Sequence, residues 1–316
     1  MRIVFMGTPD FAVPSLKSLH AAGHELVLVV TQPDRPAGRG RKLTPPPIKS
    51  AAIDLGLEVA QPGSVNTDEF VRRLRELAPD LFVVVAFGQI LKQRLLDIPP
   101  LGSINVHGSL LPDYRGVAPI NWAIVRGETQ TGVTTMYMAR SVDTGAIILK
   151  RSTPIGPEET AGELYDRLSA LGGELIAETA DLIARGEAPR AEQGTPRVGY
   201  ARKLRRADGT IDWSLTARAV HDHIRGMTPW PGATTRFAGR MLLVMRSTVA
   251  RSGEASAPAA PGTIISLEGG LEIAVSDGSV LLTEVKPEGK RTMTADEFAR
   301  GYRPEPGARL GDGEGA

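Results

Sequence analysis

Short apolar runs alternate with amphipathic stretches along the first half of the chain. The apolar runs predict strands at Arg2–Met6, Leu26–Thr31, Leu81–Ala86, Ser103–Val106, Val133–Met138 and Ile147–Arg151. Apolar residues at helical spacing predict helices at Val13–Ala22, Thr67–Ala78, Ala118–Arg126 and Thr160–Arg185. Alternating strands and helices indicate an α/β fold, with a Rossmann-like, open and mostly parallel sheet covered by helices on both faces.

The pattern changes in the second half of the chain. We interpret the polar segment at residues 190–208 as a linker between a first domain at residues 1–189 and a second at residues 209–316. A helix-like stretch at Ser214–Arg225 is followed by short β-type runs between Gly-, Asp- and Pro-rich turns. These runs are Met241–Met245, Thr263–Ser266, Leu271–Val275 and Val280–Val285. They predict a small C-terminal β-barrel, which composition alone does not distinguish from a small sandwich.

Composition excludes several kinds of site. With 316 residues, 41% of them hydrophobic, the chain is long enough for two domains that each bury a core. It has no cysteine, which excludes disulfides, thiolate nucleophiles and cysteine-ligated metals. His221 and His223 are two positions apart on a predicted helix and do not share a face. We therefore expect no metal site, and we expect both histidines at the surface or at a helix end.

The distribution of apolar residues also bears on location. The strongest apolar run, Leu81–Phe87, is far shorter than the ~20 residues that a membrane-spanning helix needs. The N-terminus shows the alternation of a strand followed by Gly-Thr-Pro, which is not typical of a signal peptide. We expect a soluble cytoplasmic protein without a membrane partner, and a monomer as the simplest assembly.

A basic segment rich in proline and glycine lies at Asp34–Lys49. The whole chain has a formal net charge of only +1, so this local charge is informative. Its cations, set against the single acid Asp34, are Arg35, Arg39, Arg41, Lys42 and Lys49. The density of proline and glycine predicts that the segment forms neither helix nor strand. Composition alone leaves a solvated loop and a phosphate-binding loop equally open.

The clearest candidate chemistry lies in SINVHGSLLPDYRGVAP at residues 103–119. Asn105 and His107 are two apart on a predicted strand, so their side chains leave the same face. Gly108 permits a sharp turn and Pro112 prevents a helix, which places polar groups on an irregular loop at a strand end. Such a loop is a common place for an active site, but a structural Asn–His pair would satisfy the same pattern.

Two further segments bear on the candidate chemistry. Asp143, in SVDTGAIILK, stands between two strand-like runs and on its own is typical of a turn. The first strand ends in Gly7-Thr8-Pro9 rather than in G-x-G-x-x-G, so we predict no dinucleotide.

With these motifs the chain resembles the methionyl-tRNA formyltransferase family of folate-dependent formyltransferases over nearly its whole length. The matching segments are GTPDFAVPSL at 7–16, TQPDRPAGRGRKLTPPPIK at 31–49, INVHGSLLPDYRGVAPI at 104–120, DTG at 143–145, IDW at 211–213 and PWPGA at 229–233. The Asn-x-His and Ser-Leu-Leu-Pro motifs mark the broader class, and the basic segment and C-terminal motifs are typical of the enzymes that act on tRNA. The resemblance implies an OB-fold for the C-terminal barrel.

The resemblance also implies a reaction and a set of site residues. The formyl group of 10-formyltetrahydrofolate is transferred to the amine of methionyl initiator tRNA, without a metal. Asn105 would donate to the formyl oxygen, His107 would stabilise the oxyanion or protonate the leaving nitrogen, and Asp143 would hold His107 charged and accept the amine proton. The residues implied for folate are Ser109, Leu110, Leu111 and Pro112, to which we add by position Phe87, Gly88 and Ile90. Those implied for tRNA are Arg35, Arg39, Arg41 and Lys42.

Alternatives remain at this stage. Enzymes that formylate glycinamide ribonucleotide or a sugar nucleotide can share the same motifs, but the basic segment and the C-terminal barrel are not expected in them. Hydrolysis of 10-formyltetrahydrofolate usually involves a longer chain, and the intact Asn, His and Asp argue against an inactive RNA-binding module. Arg115 is equally a substrate anchor or a structural salt-bridge residue, and Tyr114 has no assigned role. Around Asp143 the chain departs from the family in Ala139–Val142 and Ala146, where Arg140 adds a positive charge.

Overall fold

The computed structural model describes residues 1–37, 40, 42–252 and 259–311. Arg39 and Arg41, two of the residues assigned to tRNA, lie outside these ranges. Within them, no helix is both long enough and apolar enough to cross a membrane.

The chain forms strands and helices in the alternation that the hydrophobic pattern predicts. The strands are β1 (Arg2–Gly7), β2 (Glu25–Val30), β3 (Arg35–Ala37), β4 (Lys42–Thr44), β5 (Val59–Ala60), β6 (Leu81–Val85), β7 (Ser103–His107), β8 (Gln130–Tyr137), β9 (Ile147–Pro154), β10 (Ala233–Phe237), β11 (Arg240–Arg251), β12 (Ile264–Ser266), β13 (Leu271–Val275), β14 (Gly278–Pro287) and β15 (Met293–Thr294). The helices are α1 (Val13–Ala21), α2 (Pro47–Asp54), α3 (Asp68–Glu76), α4 (Gln93–Leu96), α5 (Pro119–Val125), α6 (Ala161–Arg185), α7 (Ala217–Met227) and α8 (Ala295–Tyr302).

Contacts within the chain divide it into two compact units, each composed of three segments. The first unit consists of Met1–Gly116, Thr131–Thr153 and Tyr165–Ala201. The second consists of Val117–Gln130, Pro154–Leu164 and Arg202–Ala316. Two short segments from earlier in the chain therefore belong to the second unit, in addition to its long C-terminal segment.

The first unit contains a seven-stranded sheet in the order β5-β2-β1-β6-β7-β8-β9. Strands β5, β2, β1, β6 and β7 pair in parallel, and β8 runs antiparallel to β7. The expectation of an open, mostly parallel α/β sheet is confirmed. All five residues of β6 are buried, as the continuous apolar run at this position predicts. The polar end of the neighbouring strand, β7, is thereby held against a rigid core.

The expectation that residues 34–49 form neither helix nor strand is wrong. Strands β3 and β4 pair antiparallel as a two-stranded ribbon, with Arg35 opposite Thr44, and α2 begins at Pro47. Proline is compatible with both elements, because an edge strand does not need every N–H and the first turn of a helix has unpaired N–H groups. Arg35 and Lys42 are exposed on this hairpin.

The second unit contains an antiparallel sheet of six strands, in the order β10-β11-β14-β13-β12 with β15 paired to β14. The expectation of a β domain in this half is confirmed, with an antiparallel sheet in which β11 and β14 are longer than the predicted runs. Helix α7 buries Val220 and Ile224 in the core of this unit, and α5 packs on α7, where the Asn121 side chain donates to the carbonyl of Gly226 at 2.8 Å. Helix α5 thus belongs to the same compact unit as the C-terminal sheet.

His221 does not lie at the surface, so that expectation is wrong. Its side chain is 1% exposed, with Nδ1 3.1 Å from Ser247 Oγ and Nε2 2.9 Å from the carbonyl oxygen of Pro157. His223 is partly buried, and burial lowers its pKa below the ordinary value. Helix α7 is therefore buried on more than one side, including the side that carries His221.

Candidate active site

Strand β7 presents Asn105 and His107 on one face, as the spacing of two predicts. The alternate residues Ile104 and Val106 are buried in the core. Within the part of the chain that the structure describes, no group forms a hydrogen bond with the Asn105 side-chain amide. A strand side chain that no described residue binds is available to a ligand, and its N–H groups suit a carbonyl oxygen.

The imidazole of His107 lies between a backbone carbonyl and a carboxylate. Its Nε2 atom is 3.0 Å from the carbonyl oxygen of Tyr114, and its Nδ1 atom is 3.7 Å from Oδ2 of Asp143. A carbonyl can only accept, so this contact suits a hydrogen on Nε2, and Nδ1 is the ring nitrogen that faces the carboxylate. The side chains of His107 and Asp143 are 7% and 12% exposed, so this pair is largely shielded from water.

Asp143 is held in an uncommon backbone conformation. Its φ is +55°, in the left-handed region, and its Oδ2 atom accepts the N–H of Gly116 at 2.9 Å. Gly145, two residues on, lies so close to Tyr137 that an added Cβ would overlap the Tyr137 carbonyl oxygen. The Asp-Thr-Gly turn therefore has little freedom, and it aims the carboxylate at His107.

The Ser-Leu-Leu-Pro loop follows β7 directly. The Ser109 hydroxyl donates to the carbonyl of Asp113 at 2.7 Å. Thr134, on β8, donates to the carbonyl of Ser109 at 2.7 Å and accepts the N–H of Leu111 at 3.1 Å. The Leu111 side chain is fully buried, whereas Leu110 and Pro112 are partly exposed. Leu110 and Pro112 are therefore the residues of the loop assigned to folate whose side chains are accessible. The Leu111 N–H is already hydrogen-bonded to Thr134.

The second group assigned to folate, Phe87, Gly88 and Ile90, follows β6. The Phe87 side chain is buried, and its carbonyl accepts the Thr8 hydroxyl at 2.8 Å. Gly88 has a φ of +83° and is exposed. Ile90 is 77% exposed, and its carbonyl accepts the Asn66 side chain at 2.9 Å. The side-chain surface that this group offers is therefore that of Ile90.

The basic hairpin is anchored at its base. The Asp34 carboxylate accepts from the Gln61 amide at 2.6 Å and from Lys49 at 2.8 Å. These hydrogen bonds hold the pKa of Asp34 below its ordinary value, and the one from Gln61 has the largest effect. Arg35 donates to the Gln32 side chain at 3.2 Å. Lys49 is thus paired with Asp34, whereas Lys42 is an exposed cation.

Two groups next to the site could not be recognised from the sequence. The Tyr114 carbonyl binds His107, but a backbone acceptor leaves no trace in a side-chain pattern. Among the described residues Arg115 forms no salt bridge; its Nε and Nη2 atoms instead donate to Gln193 Oε1 at 3.0 and 2.7 Å. Gln193 lies in the predicted linker, where a polar residue gave no reason to expect a contact with the site.

Comparisons with known proteins show the family of the chain. The family model described as "Formyl transferase" matches residues 1–180, and that described as "Formyl transferase, C-terminal domain" matches residues 203–303. The chain therefore belongs to the formyl transferase family.

Two relatives are methionyl-tRNA formyltransferases and are similar over nearly their full lengths. The enzyme of Citrifermentans bemidjiense is 50% identical over 98% of this chain and 96% of the relative. That of Geotalea daltonii is 50% identical over the full length of both chains.

Solved structures share the fold at low sequence identity. A sugar 3N-formyl transferase crystallised with dTDP and 5-N-formyl-THF has a TM-score of 0.66, at 20% identity over 92% of this chain and 99% of the other. An N-formyltransferase from Helicobacter canadensis, in complex with folinic acid and dTDP-3-aminofucose, has a TM-score of 0.65, at 20% identity over 89% of this chain and 98% of the other.

Proposed function

We propose that this protein transfers the formyl group of 10-formyltetrahydrofolate to the free amino group of methionyl initiator tRNA, which supplies N-formylmethionyl-tRNA for translation initiation. The observation that carries the proposal is the placement of three groups. The Nδ1 atom of His107 lies 3.7 Å from the Asp143 carboxylate, and Asn105, on the same strand as His107, presents an amide to which no described residue is hydrogen-bonded. The full-length similarity to methionyl-tRNA formyltransferases supports tRNA as the acceptor.

Asn105 and His107 act on the developing negative charge. When the amine of the methionyl ester attacks the formyl carbon, the carbonyl electrons move onto oxygen and form a tetrahedral oxyanion. The Asn105 N–H groups donate to this oxygen, and protonated His107 supplies a positive charge beside it. A preorganised donor of this kind contributes roughly 100- to 1000-fold in rate.

Asp143 and His107 move the protons. Asp143 stabilises the charged imidazole at Nδ1 and accepts the proton that the attacking nitrogen must lose. His107 delivers its Nδ1 proton to the folate nitrogen as the bond from that nitrogen to the formyl carbon breaks. Each positioned acid or base contributes roughly 100- to 10,000-fold.

The basic hairpin and its flanks supply charge for the RNA. Arg35 and Lys42 are exposed on β3 and β4, and Arg39 and Arg41 lie between them in the sequence. Cations on a short hairpin can bind phosphates and stack on unpaired bases of a single-stranded acceptor end. We expect a monomer that works in the cytoplasm, where initiator tRNA is charged and used.

The test is a formyl-transfer assay with alternative acceptors. The purified protein is incubated with 10-formyltetrahydrofolate and, in separate reactions, with initiator methionyl-tRNA, glycinamide ribonucleotide or a dTDP-linked amino sugar. We expect transfer to methionyl-tRNA with by far the highest kcat/KM, and loss of that transfer in His107→Ala. Preferred transfer to either small amine, or hydrolysis of the donor alone, would contradict the proposal.

A further inference from the structure

Gln193 is a half-buried side chain between two exposed neighbours in the segment that follows α6. Its Nε2 atom donates to the carbonyl oxygens of Asp143 at 2.9 Å and Gly145 at 2.8 Å. Its Oε1 atom accepts from Nε and Nη2 of Arg115 at 3.0 and 2.7 Å. Carbonyls only accept and a guanidinium only donates, so these neighbours fix the orientation of the amide.

The segment that carries Gln193 is itself held on both sides of this residue. Ala191 and Ile147 exchange both main-chain hydrogen bonds, at 2.8 and 3.0 Å. Further along, the N–H of Ala201 donates to the carbonyl of Arg115 at 2.7 Å. The Gln193 side chain therefore extends from a fixed backbone, which allows it to restrain the groups that it contacts.

The turn that carries Asp143 needs such a restraint. The left-handed backbone of Asp143, with a φ of +55°, is disfavoured for residues other than glycine and persists only where the surroundings hold it. Gly145 is packed against the Tyr137 carbonyl on one side. Gln193 binds the carbonyls of both ends of the turn, so the direction of the Asp143 side chain depends on it.

The other half of the amide supports the same carboxylate from a second chain segment. Arg115 directly precedes Gly116, whose N–H donates to Oδ2 of Asp143 at 2.9 Å. By binding Arg115, Gln193 helps to keep this donor in place. One side chain thus links the backbone that carries the carboxylate to the backbone that binds it.

We propose that Gln193 is a positioning residue for formyl transfer and that it acts through Asp143. It fixes the carboxylate and with it the 3.7 Å separation from Nδ1 of His107. This inference rests on the proposed function, in which Asp143 serves the proton transfers. A displacement of about 1 Å at such a group can lower the rate by on the order of 100-fold.

Three substitutions separate the contributions of the two halves of the Gln193 amide. Gln193→Glu has the same length and still accepts from Arg115, but it places a carboxylate against two carbonyl oxygens. Gln193→Ala removes both sets of hydrogen bonds, whereas Arg115→Ala leaves those to Asp143 and Gly145 intact. We expect kcat to fall about 10- to 100-fold in both Gln193 variants and less in Arg115→Ala. The KM values for folate and tRNA should stay within about twofold, since substrate binding is not the step affected.

A matched control is Gln93→Ala, which removes an exposed glutamine that pairs with Asp97 on α4. This variant should keep the kcat of the wild type. Thermal midpoints of all variants are measured alongside, so that a loss of folded protein is not mistaken for a loss of turnover.

The decisive measurement combines Gln193→Ala with Asp143→Ala in single-turnover reactions. A residue that acts through Asp143 should cause no further loss once the carboxylate is gone, so the double variant should match Asp143→Ala. A further 10- to 100-fold loss in the double variant, a wild-type kcat in both Gln193 variants, or misfolding of both would overturn the inference. A wild-type rate in Asp143→Ala would instead contradict the role of Asp143 in the proposed function, and the inference with it.

Discussion

Arg197 binds the carboxylate of Asp113 with both its side chain and its backbone. The Nε and Nη2 atoms lie 2.7 Å from Oδ2, and the Arg197 N–H lies 2.6 Å from Oδ1. Burial opposes the charged form, but these hydrogen bonds outweigh it and lower the pKa of Asp113 below its ordinary value. Asp113 follows the Ser-Leu-Leu-Pro loop, so this ion pair ties the loop to the segment that carries Gln193.

The Asp113 pair predicts a pH-dependent stability. Because the folded-state pKa is depressed, the stabilisation is fully present above the ordinary value of 3.8 and is lost as the pH falls through the lower folded value. Asp113→Asn should therefore lower the free energy of unfolding by about 1–3 kcal/mol at pH 7. Urea denaturation at pH 7 and below pH 4 measures this, and the difference between variant and wild type should shrink at the lower pH. A difference that is independent of pH would contradict the assignment.

Substitution of the imidazole or the carboxylate should abolish turnover without loss of fold. His107→Ala and Asp143→Ala each remove a proton-transfer group, so kcat should fall roughly 100- to 10,000-fold. Their folate KM should change little, because neither side chain is assigned to pterin binding. Steady-state formylation of methionyl-tRNA and circular dichroism together check this. Near-full activity in either variant would remove that residue from the mechanism.

Thr134 should be essential for the shape of the Ser-Leu-Leu-Pro loop, which we propose binds folate. It is fully buried, and Thr134→Val keeps its volume while leaving the Leu111 N–H and the Ser109 carbonyl without this partner. We expect a loss of about 1–3 kcal/mol in stability from the unpaired groups, together with a raised folate KM. Thermal denaturation and steady-state kinetics test both effects, with the exposed Thr129→Val as the control. An unchanged folate KM would show that this loop does not bind the donor.

Gly145 should not tolerate a side chain. An added Cβ would overlap the Tyr137 carbonyl, so Gly145→Ala must displace the turn that carries Asp143. A displacement of that kind should reduce kcat by about 100-fold. Gly63→Ala is the matched control, because no atom lies within 4 Å of the new Cβ there. Equal kcat values for the two variants would mean that the turn relaxes without moving the carboxylate.

Neutralising the arginines that lie between β3 and β4 in the sequence should weaken tRNA binding alone. With Arg39 and Arg41 both changed to alanine, fewer counterions are released on binding, so the tRNA KM should rise and its dependence on salt should flatten. The folate KM should not move. A double alanine variant of Arg72 and Arg75, exposed on α3, removes the same charge elsewhere and serves as the control. If both pairs behave alike, the effect is one of net charge rather than of a binding hairpin.

Much of the first sheet could be predicted from the sequence, because parallel strands that are buried on both faces consist of continuous apolar runs. Such runs can be recognised in the local sequence. Alternation on β7 likewise places Asn105 and His107 on one face. The approach of Asp143 to His107 could not be derived from spacing, since the two residues lie 36 positions apart along the chain and a turn sequence does not indicate its tertiary contacts. Only the family resemblance placed the carboxylate in the site.

The features that the sequence did not reveal all depend on contacts between residues that are not neighbours in the sequence. The Tyr114 carbonyl acts as a backbone group, so the identity of its side chain gives no hint of it. Gln193 lies in a polar segment whose composition indicates exposure, and its contacts depend on tertiary structure. The β3–β4 hairpin forms despite Pro36, because a two-stranded ribbon has edges that do not require each N–H. Local propensity is a weak guide where a few long-range hydrogen bonds decide the conformation.

The second unit is formed by three separate segments of the chain, so no single continuous fragment contains all of it without part of the first unit. Expression of residues 202–316 alone would omit helix α5, whose Asn121 caps the Gly226 carbonyl and whose Trp122 and Val125 pack on the core. Such a fragment would display bare apolar surface and aggregate. Hybrid genes that exchange C-terminal halves between relatives would have to carry the matching α5 sequence with them. We therefore expect the residues of α5 and those of α7 that they contact to change together.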